Sequence, residues 1–159
     1  MTLAQSLLWL YTLLVGTLFG GALFERLVLV SVWSSSPPES VREWNSHPRF
    51  KIDPSGRFFK FVTIPLMLLT PANAAVAWTS QAGWRDPLLL STACLLVVIA
   101  ATLAYFAPII IALTYRHGEG MDEATIRRKV GAWVGWQYLR LALLLVGWVA
   151  AMRALQSST

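Results

Sequence analysis

Between Leu7 and Trp33 the chain is almost wholly apolar and long enough to cross a bilayer as a helix, yet it carries Glu25 and Arg26 inside that run. An ionisable residue held in hydrocarbon costs roughly 2.5–3.5 kcal/mol or more, so it faces a bundle interior, a water-filled cavity or a partner charge. Any fold open to this chain must therefore supply a polar environment near Glu25. The last apolar run offers a counter-charge, Arg140.

The rest of the sequence agrees with a membrane setting. Hydrophobic residues make up 56% of the 159 positions and charged residues 13%, against about 45–50% and about 25% in soluble domains. The apolar residues fall into four blocks, which predicts one all-α domain, an integral membrane four-helix antiparallel bundle. The net charge of +5 comes from basic residues at the ends of apolar runs, which argues for topology and a lipid bilayer rather than nucleic acid. Cys94 is the single cysteine, so an intrachain disulfide or a cysteine metal cluster is excluded; it reads as a packing residue. The segment MTLAQSLLWL lacks the positive n-region of a secretory signal and reads as the start of an uncleaved helix.

The spans are expected at about 3–33, 57–79, 87–115 and 131–155. Gly16 and Gly20 form a GxxxG step in the first, and Gly131 and Gly135 another in the fourth, either of which allows close approach of a neighbouring helix or a second chain. In the connection 34–56, SSSPPESVREW predicts a short amphipathic helix from Pro37 to about Asn45, with Ser36 and Glu39 as a capping box and Val41 and Trp44 on one apolar face. Pro65, Pro71 and Pro108 predict bends in the second and third spans. The glycines of RHGEGMD end the third, and Asp122 caps a fourth helix whose segment 122–131 projects from the membrane. Arg42, Arg49, Lys51, Arg57 and Lys60 flank the first connection and Arg116, Arg127, Arg128 and Lys129 the third, whereas Arg85 and Arg153 lie on the other side. Both longer connections are thus expected in the cytoplasm and both termini outside.

Counted from the expected cytoplasmic interface at 1.5 Å per residue, Glu25, Pro65, Pro108 and Arg140 all lie about 10–12 Å deep. Two charges and two bending prolines in one layer suit a polar cavity. Glu25 and Arg140 are its candidate catalytic residues; Arg26, Thr63, Tyr105, Trp133, Gln137 and Tyr138 are its candidate ligand-binding residues. A buried Glu25–Arg140 pair that only fixes helix register accounts for the same residues, and lipid headgroup contact is a third reading. Asn73 lies deeper, as a helix-to-helix hydrogen bond. His47 and His117 sit in the connections without the spacing of a metal or haem site, so neither a metal nor a cofactor is expected.

Glycines running into GALFERLVLVSVWSSSPPESVREW, followed later by FAPIIIALTYRHGEGMDEATIRRKVGAWVGWQYLR, resemble the anthrone-oxygenase-like family of small four-helix bacterial membrane proteins. The resemblance covers nearly the whole chain and is most specific at Glu25, at the Trp33 to Pro38 stretch, and in the W-x(3)-Q-x(2)-R pattern of Trp133, Gln137 and Arg140. Pro108 matches, but Ile109 and Ile110 replace the polar residue that commonly follows it. The resemblance implies an inner-membrane, cofactor-independent oxygenase acting on a hydrophobic aromatic substrate, with Glu25 as base and Arg140 as stabilising cation. Two other classes stay open from the residues themselves: a non-catalytic subunit or assembly factor of a larger membrane complex, alone or as a homo-oligomer, and a small transporter.

Overall fold

The structure, a computed structural model, describes residues 3–46, 54–79, 83–116, 118 and 120–158. Among these residues it is all-helical, without a strand. Helix α1 covers 3–33, as Leu3–Phe24, a π-helical turn Glu25–Val30 and Ser31–Trp33; α2 is Glu39–Ser46; α3 is Pro54–Thr79. Helix α4 covers 85–115, with π-helical turns Thr102–Phe106 and Ile111–Tyr115 on either side of Ala107–Ile110, and α5 is Glu123–Gln156. Four helices, α1, α3, α4 and α5, are long and apolar enough to cross a membrane.

Helix α5 packs on α1 and α4, and α3 packs on the same two. One core joins Tyr11, Val15, Leu18, Leu66, Leu95 and Leu144; a second lies under α2 and joins Val30, Trp33, Val41, Phe106, Ile126 and Trp133. Gln5 Nε2 donates to the Ser158 carbonyl at 2.9 Å, and the Tyr11 hydroxyl meets Ser91 Oγ at 3.1 Å. The close approaches are made by glycines that only partly match the expected GxxxG steps. A Cβ on Gly16 would lie 2.7 Å from the Trp148 indole nitrogen, one on Gly21 would run into the Phe58 ring, and one on Gly147 would lie 2.8 Å from Leu95. Gly20, Gly131 and Gly135 have nothing within 4 Å of such an atom. Spacing alone could not tell these apart, because it ignores which face of the helix turns inward.

Pro65 and Pro71 lie within a continuous α3, whereas Pro108 lies between the two π-helical turns of α4. Pro108 lacks the N–H needed by the preceding turn, and wider turns with i→i+5 bonds are one way a helix accommodates such a gap. Gly118 and Gly120, at φ 68° and 75°, supply the left-handed turns beyond α4 that other residues adopt at a cost.

Helix α2 begins at Glu39, and its start differs from the expected capping box. Ser40 Oγ accepts the Ser36 N–H at 3.1 Å and donates to the Trp33 carbonyl at 2.8 Å. A hydroxyl can do both, whereas the Glu39 carboxylate can only accept. Val41 is buried and Trp44 packs against the same core. Asn45 Nδ2 donates to the Leu113 carbonyl at 2.8 Å, and Arg42 Nη2 lies 3.4 Å from Glu123 Oε1. Both members of that pair are more than half exposed, so it contributes at most about 1 kcal/mol. Arg49 and Glu119 lie outside the described residues.

Asp122 caps α5 as expected, accepting the Thr125 N–H at 2.9 Å. The hydrogen bonds from Thr125 hold its carboxyl below the usual carboxylate value. A depressed carboxyl stabilises the folded form above its unfolded pKa of about 3.9, and that stabilisation is lost as pH falls through the lower folded value. Protection of the Thr125 amide, taken relative to its intrinsic exchange rate at each pH, is expected to fall over that acidic window. In Asp122→Asn the same amide should lack that pH dependence; an unchanged acid response there would contradict the cap.

Candidate functional site

Glu25 opens the π-helical turn of α1, and its Oε2 lies 3.5 Å from Arg140 Nη1 on α5. The side chains are 15% and 8% exposed, so Arg140 is buried and Glu25 partly buried. Gln137 lies three residues before Arg140, on the same face of α5, and donates from Nε2 to the same Glu25 oxygen at 3.3 Å. The reverse amide orientation would set two acceptors against each other, which fixes the assignment. The remaining two long helices supply aromatic rings. The Arg140 guanidinium carbon lies 5.1 Å from the centroid of Phe59 on α3 and 5.3 Å from that of Phe106 on α4. All four long helices thus meet at one cation, held by a carboxylate and two π faces.

In this layer the residues that reach Arg140 from α3 and α4 were not among those expected. Pro65 and Pro108 were to mark it, but Phe59 and Phe106 contact Arg140 instead. Phe59 is six positions before Pro65, about 9 Å along a helix. Phe58 packs against Gly21, and both Phe58 and Phe59 line the same cleft as Glu25. An aromatic residue in an apolar run carries no mark of being a cation's neighbour, so neither ring was legible in advance.

A cleft of about 550 Å³ opens between α1 and α3, lined by Thr17, Gly20, Gly21, Phe24, Phe58 and Phe59, with Glu25 as its ionisable residue. Arg140 and Gln137 stand behind Glu25 instead of facing the cleft themselves. Of the other expected ligand-binding residues, Trp133 and Tyr105 ring the Phe106 side chain, at 4.8 and 5.4 Å between centroids. Arg26 and Tyr138 are drawn away from Glu25. Arg26 Nη2 donates to the Tyr138 hydroxyl at 2.7 Å, and its guanidinium lies 4.8 Å above the Tyr138 ring, on the exposed side of α5. Thr63 is half-buried and lines neither the pair nor the cleft.

Tyr105 Oη, Trp133 Nε1, Gln137 Oε1 and Arg140 Nε are buried and have no hydrogen-bond partner among the described residues. Such atoms cost about 1–3 kcal/mol each when left so, and the site is correspondingly receptive to a polar group. Chemically, it offers one acceptor carboxylate at the foot of an apolar cleft, with a clamped cation behind it. Among the described residues no group of His, Cys, Asp and Glu could hold a metal ion; His47 and His117 lie outside them. Comparison with protein-family models, with curated proteins and with solved structures finds no match to this chain.

Proposed function

We propose that this chain is an antiparallel four-helix bundle of the bacterial inner membrane that binds a hydrophobic aromatic molecule in the cleft at Glu25. There it oxidises the molecule with dioxygen and without a cofactor, in the manner of the anthrone-oxygenase-like family. The observation that carries the reading is a partly buried carboxylate lining an apolar cleft and backed by a cation 3.5 Å away. Retaining two charges in one membrane layer is costly, and such pairs commonly mark functional sites.

In this reading each residue of the pair has a role. Glu25 takes a proton from an activated ring methylene or its enol, and Arg140, no longer neutralised by a carboxylate, stabilises the resulting anion. Net charge in the layer is unchanged by that transfer. Dioxygen then converts the methylene to a carbonyl, one oxygen atom entering the product and the other leaving as water. Gln137 holds the Glu25 carboxylate in place, and Phe59 and Phe106 hold the guanidinium.

The purified chain in lipid nanodiscs, supplied with anthrone under oxygen, should form anthraquinone faster than empty nanodiscs do. Glu25→Gln should lower that rate by about 10²–10⁴-fold, the usual contribution of a positioned base. A protein-independent rate would sink the oxygenase reading. The placement of both termini outside rests on the Lys and Arg distribution. A C-terminal alkaline phosphatase fusion should be active; an inactive enzyme with a bright cytoplasmic reporter at the same end would reverse the orientation.

A second reading, a non-catalytic subunit or homo-oligomer, is favoured by Gly131 and Gly135, which are exposed on α5 with open space above them. A stoichiometric partner that co-purifies with the chain and is lost in Gly135→Leu would support it.

A further inference from the structure

We infer that the ligand of the Glu25 cleft is a single-tailed amphiphile whose small, uncharged, hydroxyl-bearing aromatic head meets Glu25 and whose hydrocarbon tail lies along α1. This rests on the reading of the Glu25 cleft given above and extends it to the chemical class of the ligand. A second cleft of about 610 Å³ lies between α1 and α5, lined by Trp9, Thr12, Leu13, Gly16, Trp148 and Met152. The two clefts share Thr17. On α1 the lining positions are 9, 12, 13, 16 and 17, then 20, 21, 24, 25 and 29. That spacing is one continuous stripe of a helix. Gly20, where a side chain would otherwise stand between the two halves, leaves its face open.

The stripe has its charge at one place only. Thr12 and Thr17 donate their hydroxyls to the carbonyls of Leu8 and Leu13, both at 2.8 Å. Their donors are thus already used, and apart from Gln156 on α5 the groove between Glu25 and Trp9 offers mainly hydrocarbon surface. From Glu25 to Leu13 is about 18 Å along the helix and to Trp9 about 24 Å, the reach of a long alkyl or isoprenoid tail.

The head is selected by the other end. Glu25 lies about 12 Å along α1 from Trp33, too deep for a phospholipid headgroup anchored at the interface. A carboxylate or phosphate head would meet the Glu25 carboxylate, and a permanent cation would meet Arg140 behind it. A neutral hydroxyl donates to the carboxylate without either penalty, and Phe24, Phe58 and Phe59 offer faces on which its ring can stack.

The test uses the full chain in nanodiscs and three probes: para-dodecylphenol, para-ethylphenol and para-dodecylanisole. Retention by the wild type is compared with Leu13→Trp, which fills the far half of the groove at a side chain 61% exposed, and with Met152→Phe on the opposite wall. Both variants should weaken para-dodecylphenol at least tenfold and leave para-ethylphenol unchanged. The wild type should retain para-dodecylanisole at least tenfold less than the phenol. Equal retention of para-dodecylphenol by the wild type and both variants overturns the tail groove while leaving the Glu25 cleft intact. Equal retention of phenol and anisole, the behaviour of a bare lipid-chain groove, overturns the head assignment. Failure of the wild type to retain para-ethylphenol counts instead against the Glu25 cleft itself.

Discussion

Glu25→Gln is expected to destabilise the protein by about 3–5 kcal/mol, because it leaves the Arg140 guanidinium buried without a neutralising charge. The two phenylalanine faces and a side-chain amide soften that loss but carry no negative charge. Replacing both members, as in Glu25→Leu with Arg140→Met, removes the desolvation cost along with the pair and is expected to restore or raise stability. The two measurements to set side by side are thermal unfolding in detergent and anthrone oxidation. A double variant as stable as the wild type but inactive is the expected result. Full activity in that stable variant would reduce the pair to a register device and end the catalytic assignment of Glu25 and Arg140.

Trp133→Ala should cost about as much, roughly 3–5 kcal/mol by the scale of large aromatic deletions, through packing instead of charge. Trp133 is 3% exposed, lies edge-on to Phe106, and meets Trp33 at 6.1 Å between ring centroids. Val41 belongs to the same cluster, so the deletion should also loosen α2. Hydrogen exchange should then rise across 39–46 while the Tyr11–Leu144 core keeps its protection. Uniform loss of protection in both cores would show them to be one cooperative unit.

The long helices were legible because the length of an apolar run and the helix rise fix them almost alone. The expected 57–79 and 87–115 lie close to Pro54–Thr79 and 85–115. The Glu25 to Arg140 contact was legible for the same reason that isolated charges are conspicuous in apolar runs. Phe59, Phe106 and the cleft wall were not, since nothing in a run of phenylalanines and leucines says which face turns inward. The π-helical turn at Glu25 was equally hidden, because ERLVLV contains neither proline nor glycine to announce it. Ser40 replaced Glu39 at the start of α2 because two groups needed closing at once, a demand set by the position of Trp33 in space.

The union of Glu25 with α5 also sets a timetable for biogenesis. Gln137, which holds the carboxylate, follows it by 112 residues, and at about 5–20 residues per second a ribosome needs roughly 6–22 s to reach it. Throughout that interval α1 exists with its acidic residue made and its basic counterpart still untranslated. The same is true of the Asn45 bond to Leu113, which ties α2 to a helix that does not yet exist when α2 emerges. If the chain spans a membrane as proposed, release of the first helix into lipid would be costly before the fourth is complete. Under that proposal the order in which the residues appear favours late, concerted exit of the helices over release one by one.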